Sequence, residues 1–208
     1  AAQIISAPLL AATSNSPYLF ETELWAETRI PLFEQSVAVP PWQDLAGNAV
    51  QRVTFGSHYV QDSLIELFVE NRDCIPVLLP MLWDDPPEKL RHLRLHNGTI
   101  WRWNRPLIGV EDGQAPHMRV EIRPVAAGPS IVDVIANIAL TCGLVTHMRS
   151  QLAKVGCAMP FDAAKRNFYR AARLGLAAQL EWFGKACNAR DLLLHDLLPA
   201  ARSGLQTL

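Results

Sequence analysis

The segment Met118-Arg-Val-Glu-Ile-Arg-Pro124 alternates strictly between apolar and polar positions. On a β-strand, Met118, Val120 and Ile122 share one face, and Arg119, Glu121 and Arg123 share the other. A carboxylate flanked by two guanidinium groups suits a particular chemistry. The carboxylate can ligate a hard cation such as magnesium while the guanidinium groups bind phosphate oxygens. Glu121 and Arg123 stand two strand rises apart, roughly 6–7 Å, so one ligand can reach both. The same pattern also suits a cross-strand ladder of salt bridges on an exposed face.

The run His96-Asn-Gly-Thr-Ile-Trp-Arg-Trp-Asn-Arg-Pro106 supplies the expected partner strand, roughly Asn97 to Trp103. Thr99, Trp101, Trp103 and Arg105 share one of its faces; Ile100, Arg102 and Asn104 share the other. The tryptophans suit a core, or a site wall in which an indole packs on a ligand. In a regular strand Arg102 and Arg105 point oppositely, so at most one enters a given site. Gly109 and Glu111-Asp112-Gly113 link this strand to the second, roughly His117 to Pro124, as a broad antiparallel hairpin.

Helices must back such a hairpin. Gly128-Pro129-Ser130 opens a long one, and Ile131 to Met148 is apolar almost all round, which predicts burial. Asp133, Asn137 and Thr141 recur on it every four residues. This polar stripe either bonds to nearby backbone, the favoured reading, or supports the sheet's polar face. A second helix, about Asp162 to Trp182 with Asp162 as N-cap, carries Arg166, Arg170 and Arg173 on one side with Asn167 beside them. Such a stripe suits a solvated face, or adds positive charge to a phosphate site. A last helical region spans Ala189 to Thr207, interrupted near Pro199.

Ahead of the hairpin, Gln3 to Ala12 reads as an apolar helix limited by Pro8, and Ser14 to Pro17 as a loop. Phe20 to Phe33 reads as a helix kinked or ended by Pro31. Val37 to Gly47, with Pro40-Pro41, is an irregular connector, and Val50 to Phe55 a short strand. Tyr59 to Glu70 has helical spacing, with Leu64, Leu67 and Phe68 on one face; Pro80 to Lys89 is a loop. The class is α+β, a small antiparallel sheet backed by helices. Its parts are a mainly helical or irregular lead-in (1–95), a hairpin with a buried helix (96–148) and C-terminal helices (149–208).

The 208 residues are 50% hydrophobic and 19% charged, enough for a substantial core. A net charge of −1 gives no general attraction to nucleic acid or anionic membrane, so phosphate binding must come from local arginines. Cys74, Cys142, Cys157 and Cys187 are scattered, which favours reduced thiols. No unbroken apolar run reaches 18 residues, so no membrane span is predicted. The six histidines lack metal-site spacing, and no G-x-S-x-G, Walker or G-x-G-x-x-G motif occurs. The opening Ala-Ala-Gln-Ile-Ile does not look like a signal peptide and reads as the inside of an apolar helix, an expectation of a cut or processed chain.

The central run from His96 to Pro106, then Arg119 to Pro124, then Gly128-Pro-Ser-Ile-Val-Asp133 with Asn137 and Gly143-Leu144, resembles carboxylate–amine ligases of the glutamate–cysteine ligase type 2 family. Ser14-Asn-Ser-Pro17, Glu27-Thr-Arg-Ile30 and Phe33-Glu-Gln35 resemble the family's preceding segment; Asn167-Phe-Tyr-Arg-Ala-Ala-Arg173 with Gly175-Leu176 resembles its late helix. The resemblance implies part of a glutamine-synthetase-like antiparallel catalytic sheet that binds ATP, Mg2+ and glutamate. It implies an acyl phosphate displaced by an amino-group acceptor such as cysteine, in the cytoplasmic setting of glutathione biosynthesis. By this match Glu121 is a magnesium ligand and Arg123 a phosphate contact. Arg29 contacts substrate carboxylate or phosphate, and Asn167 and Arg170 sit near the site. Trp101 is the indole expected against the cofactor.

The family's Gly-x-Glu-x-Glu strand and its further acidic and histidine ligands have no counterpart here. The chain corresponds to the C-terminal half of such a protein and is expected to be inactive alone. The alternative is a non-catalytic binding or regulatory module that keeps the ligase-like fold. An RNA-binding surface of Trp101, Trp103 and arginines is a third idea, opposed by the near-zero net charge. An incomplete sheet also predicts self-association, a homo-oligomer.

Overall fold

The computed structural model describes residues 1–38, 42–43, 49–111, 113–155 and 159–208, except the side chains of 42–43, 49–50 and 153–155. Pro40-Pro41, most of the 37–47 connector, Asp112 and Cys157 lie outside the described residues. The architecture is mixed α+β, about half helical, with small two-stranded sheets. In chain order, α1 (Ala2–Thr13) leads to a hairpin, β1 (Tyr18–Leu19) and β2 (Thr22–Glu23), and to α2 (Arg29–Ser36). Strands β3 (Trp42–Gln43), β4 (Ala49–Val50) and β5 (Val53–Thr54) precede α3 (Ile65–Cys74) and α4 (Arg91–Gly98). Then come β6 (Trp101–Arg102), β7 (Asn104–Gly109), β8 (His117–Ile122), α5 (Ile131–Val155) and α6 (Phe161–Leu174). A hairpin, β9 (Gln179–Trp182) and β10 (Lys185–Asn188), is followed by α7 (Ala189–Leu192), a π-helical turn (Leu193–Leu197) and α8 (Leu198–Leu205).

The chain divides into two compact units, Ala1–Pro31 with Pro124–Leu208, and Leu32–Arg123. In the first, α1 buries Ile4, Ile5, Leu9 and Leu10. It packs on α6, whose Ala163, Ala164, Phe168, Ala171 and Ala172 form one buried stripe. Helix α1 runs through Pro8 rather than stopping at it. Helix α6 stops at Leu174, because Gly175 turns left-handed with φ 55°, so Trp182 belongs to a strand and not to the predicted longer helix. Asp162 lies in the first turn, with Pro160 at the N-cap position.

The second unit encloses Val53, Phe55, Phe68, Ile75, Ile100 and Trp103. Beside them lies a buried polar layer of Arg52, Asn71, Asn97 and Arg102. Its strands meet at Trp103. Trp101 and Trp103 donate their backbone N–H groups to Arg52 and Thr54 in the parallel β5 pairing, at 2.6 and 3.0 Å. The Trp103 carbonyl then accepts Arg123 N–H at 2.9 Å, handing the chain over to the antiparallel β7–β8 ladder.

Four further expectations are corrected. Phe20 to Phe33 is not one helix. Phe20 and Glu21 take left-handed φ values of 47° and 64° and make the turn between β1 and β2, and helix starts only at Arg29. Helix α3 begins at Ile65, because Glu66 accepts the N–H groups of Gln61, Asp62 and Ser63 and folds that stretch into a loop. The strand predicted from Asn97 begins at Trp101, since His96, Asn97 and Gly98 finish α4. Helix α5 is not largely buried. Ile131, Val132, Ile135 and Ile138 are 81%, 77%, 60% and 54% exposed, because packing engages its later residues, Gly143, Leu144 and Met148. By length and composition alone, Ile131–Leu152 is apolar enough to cross a membrane, which the unbroken-run criterion passed over.

Candidate functional site

The register of the β7–β8 ladder sets Arg105 directly opposite Glu121. Alternation along β8 then brings Arg123 to the same face. Arg105 Nε donates to Glu121 Oε2 at 2.8 Å, and Arg123 Nε stands 3.7 Å from that same oxygen. Both guanidinium groups therefore gather on one carboxylate oxygen. Oε1 takes no part in either pair, and the Glu121 side chain is 39% exposed. Two arginines around one glutamate leave a local charge of +1 beside a carboxylate oxygen, Oε1, that no side chain among the described residues engages.

An aromatic wall adjoins this row. The Arg123 guanidinium lies over the Phe33 ring, 5.5 Å from its centroid. Phe33 in turn meets Trp101 at 6.0 Å, tilted by 58°, and Trp103 at 6.0 Å, edge-on at 74°. Trp103 is buried and donates Nε1–H to Glu34 Oε1 at 2.8 Å, whereas Trp101 stays half-buried. Thus Trp101, Glu121 and Arg123, expected together from the sequence, do share one neighbourhood. The apolar back of β8 is open: Met118 and Val120 are 47% and 42% exposed.

Arg102 takes the other direction. It is buried and pairs with Glu70 at 3.1 Å and Asn71 Oδ1 at 2.8 Å. Asn71 Nδ2 donates to Asn97 Oδ1, and Asn97 Nδ2 donates to the Pro106 carbonyl. Burial pushes the Arg102 pKa down, and the Glu70 charge and hydrogen bond oppose that shift. Arg52 is also held inside, by Thr99 and the Pro76 carbonyl, and burial lowers its pKa too.

Arg29, Asn167 and Arg170 belong to the first unit. Arg29 Nε donates to the fully buried Glu27 at 2.9 Å and Nη2 to the Pro124 carbonyl at 2.8 Å. Glu27 also accepts Asn15 N–H at 3.0 Å. Asn167 is 1% exposed, and its amide makes a two-way bond with the Glu181 backbone, Nδ2 to O at 2.8 Å and N–H to Oδ1 at 2.9 Å. Arg170 and Arg173 are exposed, and Arg166 reaches Glu181 at 3.2 Å, so the arginine stripe of α6 is a solvated face. The α5 stripe is spent locally. Ser130 and Asp133 cap one another, and Thr141 donates to the Asn137 carbonyl at 2.7 Å.

Three members of the cluster were not singled out from the sequence: Arg105 as the partner of Glu121, Phe33 as the ring under Arg123, and Glu34 as the acceptor for Trp103. The strand register reveals the first. The last two come from a helix far upstream, which no local periodicity connects to the hairpin.

No family model, curated protein or solved structure matches the chain. Among the described residues, no group of three or more His, Cys, Asp or Glu could hold a metal ion. Glu121 Oε1 fits as one hard-oxygen ligand of a magnesium ion whose remaining ligands are phosphate oxygens and water. The flanking guanidinium groups fit the phosphate charge.

Proposed function

We propose that the chain is the C-terminal half of an ATP-dependent carboxylate–amine ligase similar to glutamate–cysteine ligase, built on part of a glutamine-synthetase-like antiparallel sheet. The observation that carries this reading is the Arg105–Glu121–Arg123 row, with an open carboxylate oxygen and an aromatic wall beside it. In the reaction, the γ-carboxylate of glutamate would take the terminal phosphoryl group of ATP, releasing ADP, and an amine such as that of cysteine would then attack the acyl phosphate, losing a proton and expelling phosphate to form a γ-glutamyl amide. Magnesium, when bound, would supply charge neutralisation at the phosphates. Glu121 would supply one oxygen ligand, and Arg105 and Arg123 would orient the phosphates and offset their charge. Trp101 would flank the nucleotide. Arg29 is proposed as a substrate contact through the part of its guanidinium left exposed beside Glu27, and Arg170 as a peripheral charge. Asn167 is proposed as a positioning residue, since its amide is taken up by the Glu181 backbone. A cytoplasmic setting follows from the same reading.

The test is MgATP binding by the 208-residue chain, read by calorimetry. Saturable binding that Glu121→Gln and Arg123→Met each weaken about tenfold or more, or 1.4 kcal/mol, supports the reading. Binding that neither change affects overturns it. A single carboxylate cannot organise several magnesium ions, so the chain alone is expected not to couple glutamate to cysteine. ATP- and magnesium-dependent coupling would refute that expectation.

A second reading, a non-catalytic module retaining the ligase-like fold, is favoured by the contact of Arg105 and Arg123 with Glu121, which already neutralises the carboxylate. Phosphate binding indifferent to magnesium would select it. We also propose self-association through the exposed apolar residues of α5 and β8. A single monomer boundary in sedimentation velocity at high concentration would count against this.

A further inference from the structure

The first unit holds a concavity of about 400 Å3 that shares no lining residue with the hairpin row. Its lining includes His147 from α5, Trp182, Phe183 and Lys185 from the β9–β10 hairpin, and Asp196 and Leu197 from the π-helical turn. The size falls within the range of small-molecule sites, about 300–1,000 Å3.

Two local departures from regular backbone border it. The π turn Leu193–Leu197 interrupts the path from α7 into α8 and carries Asp196. Such turns occur mostly as single bulges, frequently at functional sites. The hairpin turn is Phe183-Gly184, with φ 47° and 80°. Turns with two left-handed residues favour Asn-Gly, and a bulky aromatic at the first position is strained. The Phe183 ring stands edge-on to Trp182, centroids 5.2 Å apart at 87°, and both line the concavity. Strained backbone of this kind clusters where a ligand is clamped.

The charges on the lining are opposite and unmatched. Lys185 and Asp196 line the same space, yet among the described residues their side chains form no ion pair with one another and no hydrogen bond. The carboxylate acts on its surroundings: burial first, then Asp196, pushes the nearby Cys187 thiol up. An ammonium and a carboxylate on the lining of one aromatic-walled concavity are complementary to a molecule bearing both charges and an apolar group.

We propose that this concavity binds a small zwitterion of the α-amino-acid class, its carboxylate on Lys185, its ammonium on Asp196 and its apolar side chain against Trp182 and Phe183. The inference does not rest on the ligase reading, because the two sites share no residue.

The test titrates the full 208-residue chain with L-phenylalanine, phenethylamine and 3-phenylpropionate, followed by amide NMR shifts. L-phenylalanine is expected to give saturable shifts clustered at residues 182–186 and 194–200. Lys185→Met and Asp196→Asn should each weaken it about tenfold. Phenethylamine should respond only to Asp196→Asn and 3-phenylpropionate only to Lys185→Met. Glu121→Gln should leave all three titrations unchanged. Lys185 and Asp196 are exposed, so both variants should keep the parent circular dichroism spectrum. No saturable shift with L-phenylalanine, an affinity indifferent to both charge substitutions, or equal binding of the singly charged analogues would each overturn the proposal.

Discussion

Two arginines three residues apart each pair with a glutamate, and the two pairs serve opposite ends. Arg102–Glu70 and Arg105–Glu121 have similar lengths, 3.1 and 2.8 Å. Their surroundings differ. Arg102 is 4% exposed and is locked to Asn71, which is locked to Asn97 and through it to the backbone of Pro106. Glu121 is 39% exposed, gathers two guanidinium groups on one oxygen and leaves the other open. The distance across a pair therefore says little about its use. What counts is how many of its remaining donors and acceptors the protein itself consumes. Arg102 has been absorbed into the core, while Glu121 keeps capacity for something from outside.

The contrast can be broken by substitution. Arg102→Met should produce the largest loss, about 3 kcal/mol, because it takes the shared partner away from the quarter-exposed Glu70 carboxylate and the buried Asn71 amide. Urea unfolding would measure it. Trp103→Phe keeps an aromatic ring but removes the bond to Glu34 beside the open pair and part of a buried indole's volume, so about 2 kcal/mol is expected in the same assay. Arg105→Met should cost less than about 1 kcal/mol, as for other partly solvated pairs. Losses of equal size from Arg102→Met and Arg105→Met would erase the distinction between the pairs.

The smallest effect concerns a third glutamate, whose acceptors are wholly used by backbone. Glu66 accepts from Ser63 at 2.8 Å, Gln61 at 3.1 Å and Asp62 at 2.7 Å, and these bonds, Ser63 first, hold its carboxyl below the usual value. Its folded pKa is thus lower than its unfolded one. The stabilisation is present above the ordinary carboxylate range and is lost as pH falls through the folded value. Unfolding midpoints of the parent and Glu66→Gln should differ at neutral pH and converge in acid. A gap that widened in acid would reverse the assignment.

Much of this was legible along the chain, and the gaps have identifiable causes. The β8 alternation put Glu121 and Arg123 on one face, and the Gly-rich link gave the hairpin. Opposite facing of Arg102 and Arg105 also followed from period two, although the strand breaks at Trp103. The Phe20-Glu21 turn was hidden because neither residue type advertises a left-handed backbone. The exposure of Ile131 to Ile138 was hidden because an all-apolar helix implies a surrounding that these residues do not have. Phe33 and Glu34 reach the hairpin through tertiary packing, which no sequence window contains.

Helices α5 and α8 cross with Gly143 on one and Gly204 on the other, and a Cβ on either would collide with backbone of the opposite helix, the Ala201 carbonyl or the Gly143 carbonyl. Backbone cannot step aside as a flexible side chain can. Each position therefore admits a single residue type, and a change at one has no compensating change at the other. In a library of random variants these two codons should behave as a locked pair, intolerant even to alanine, while the exposed isoleucines earlier on α5 drift freely.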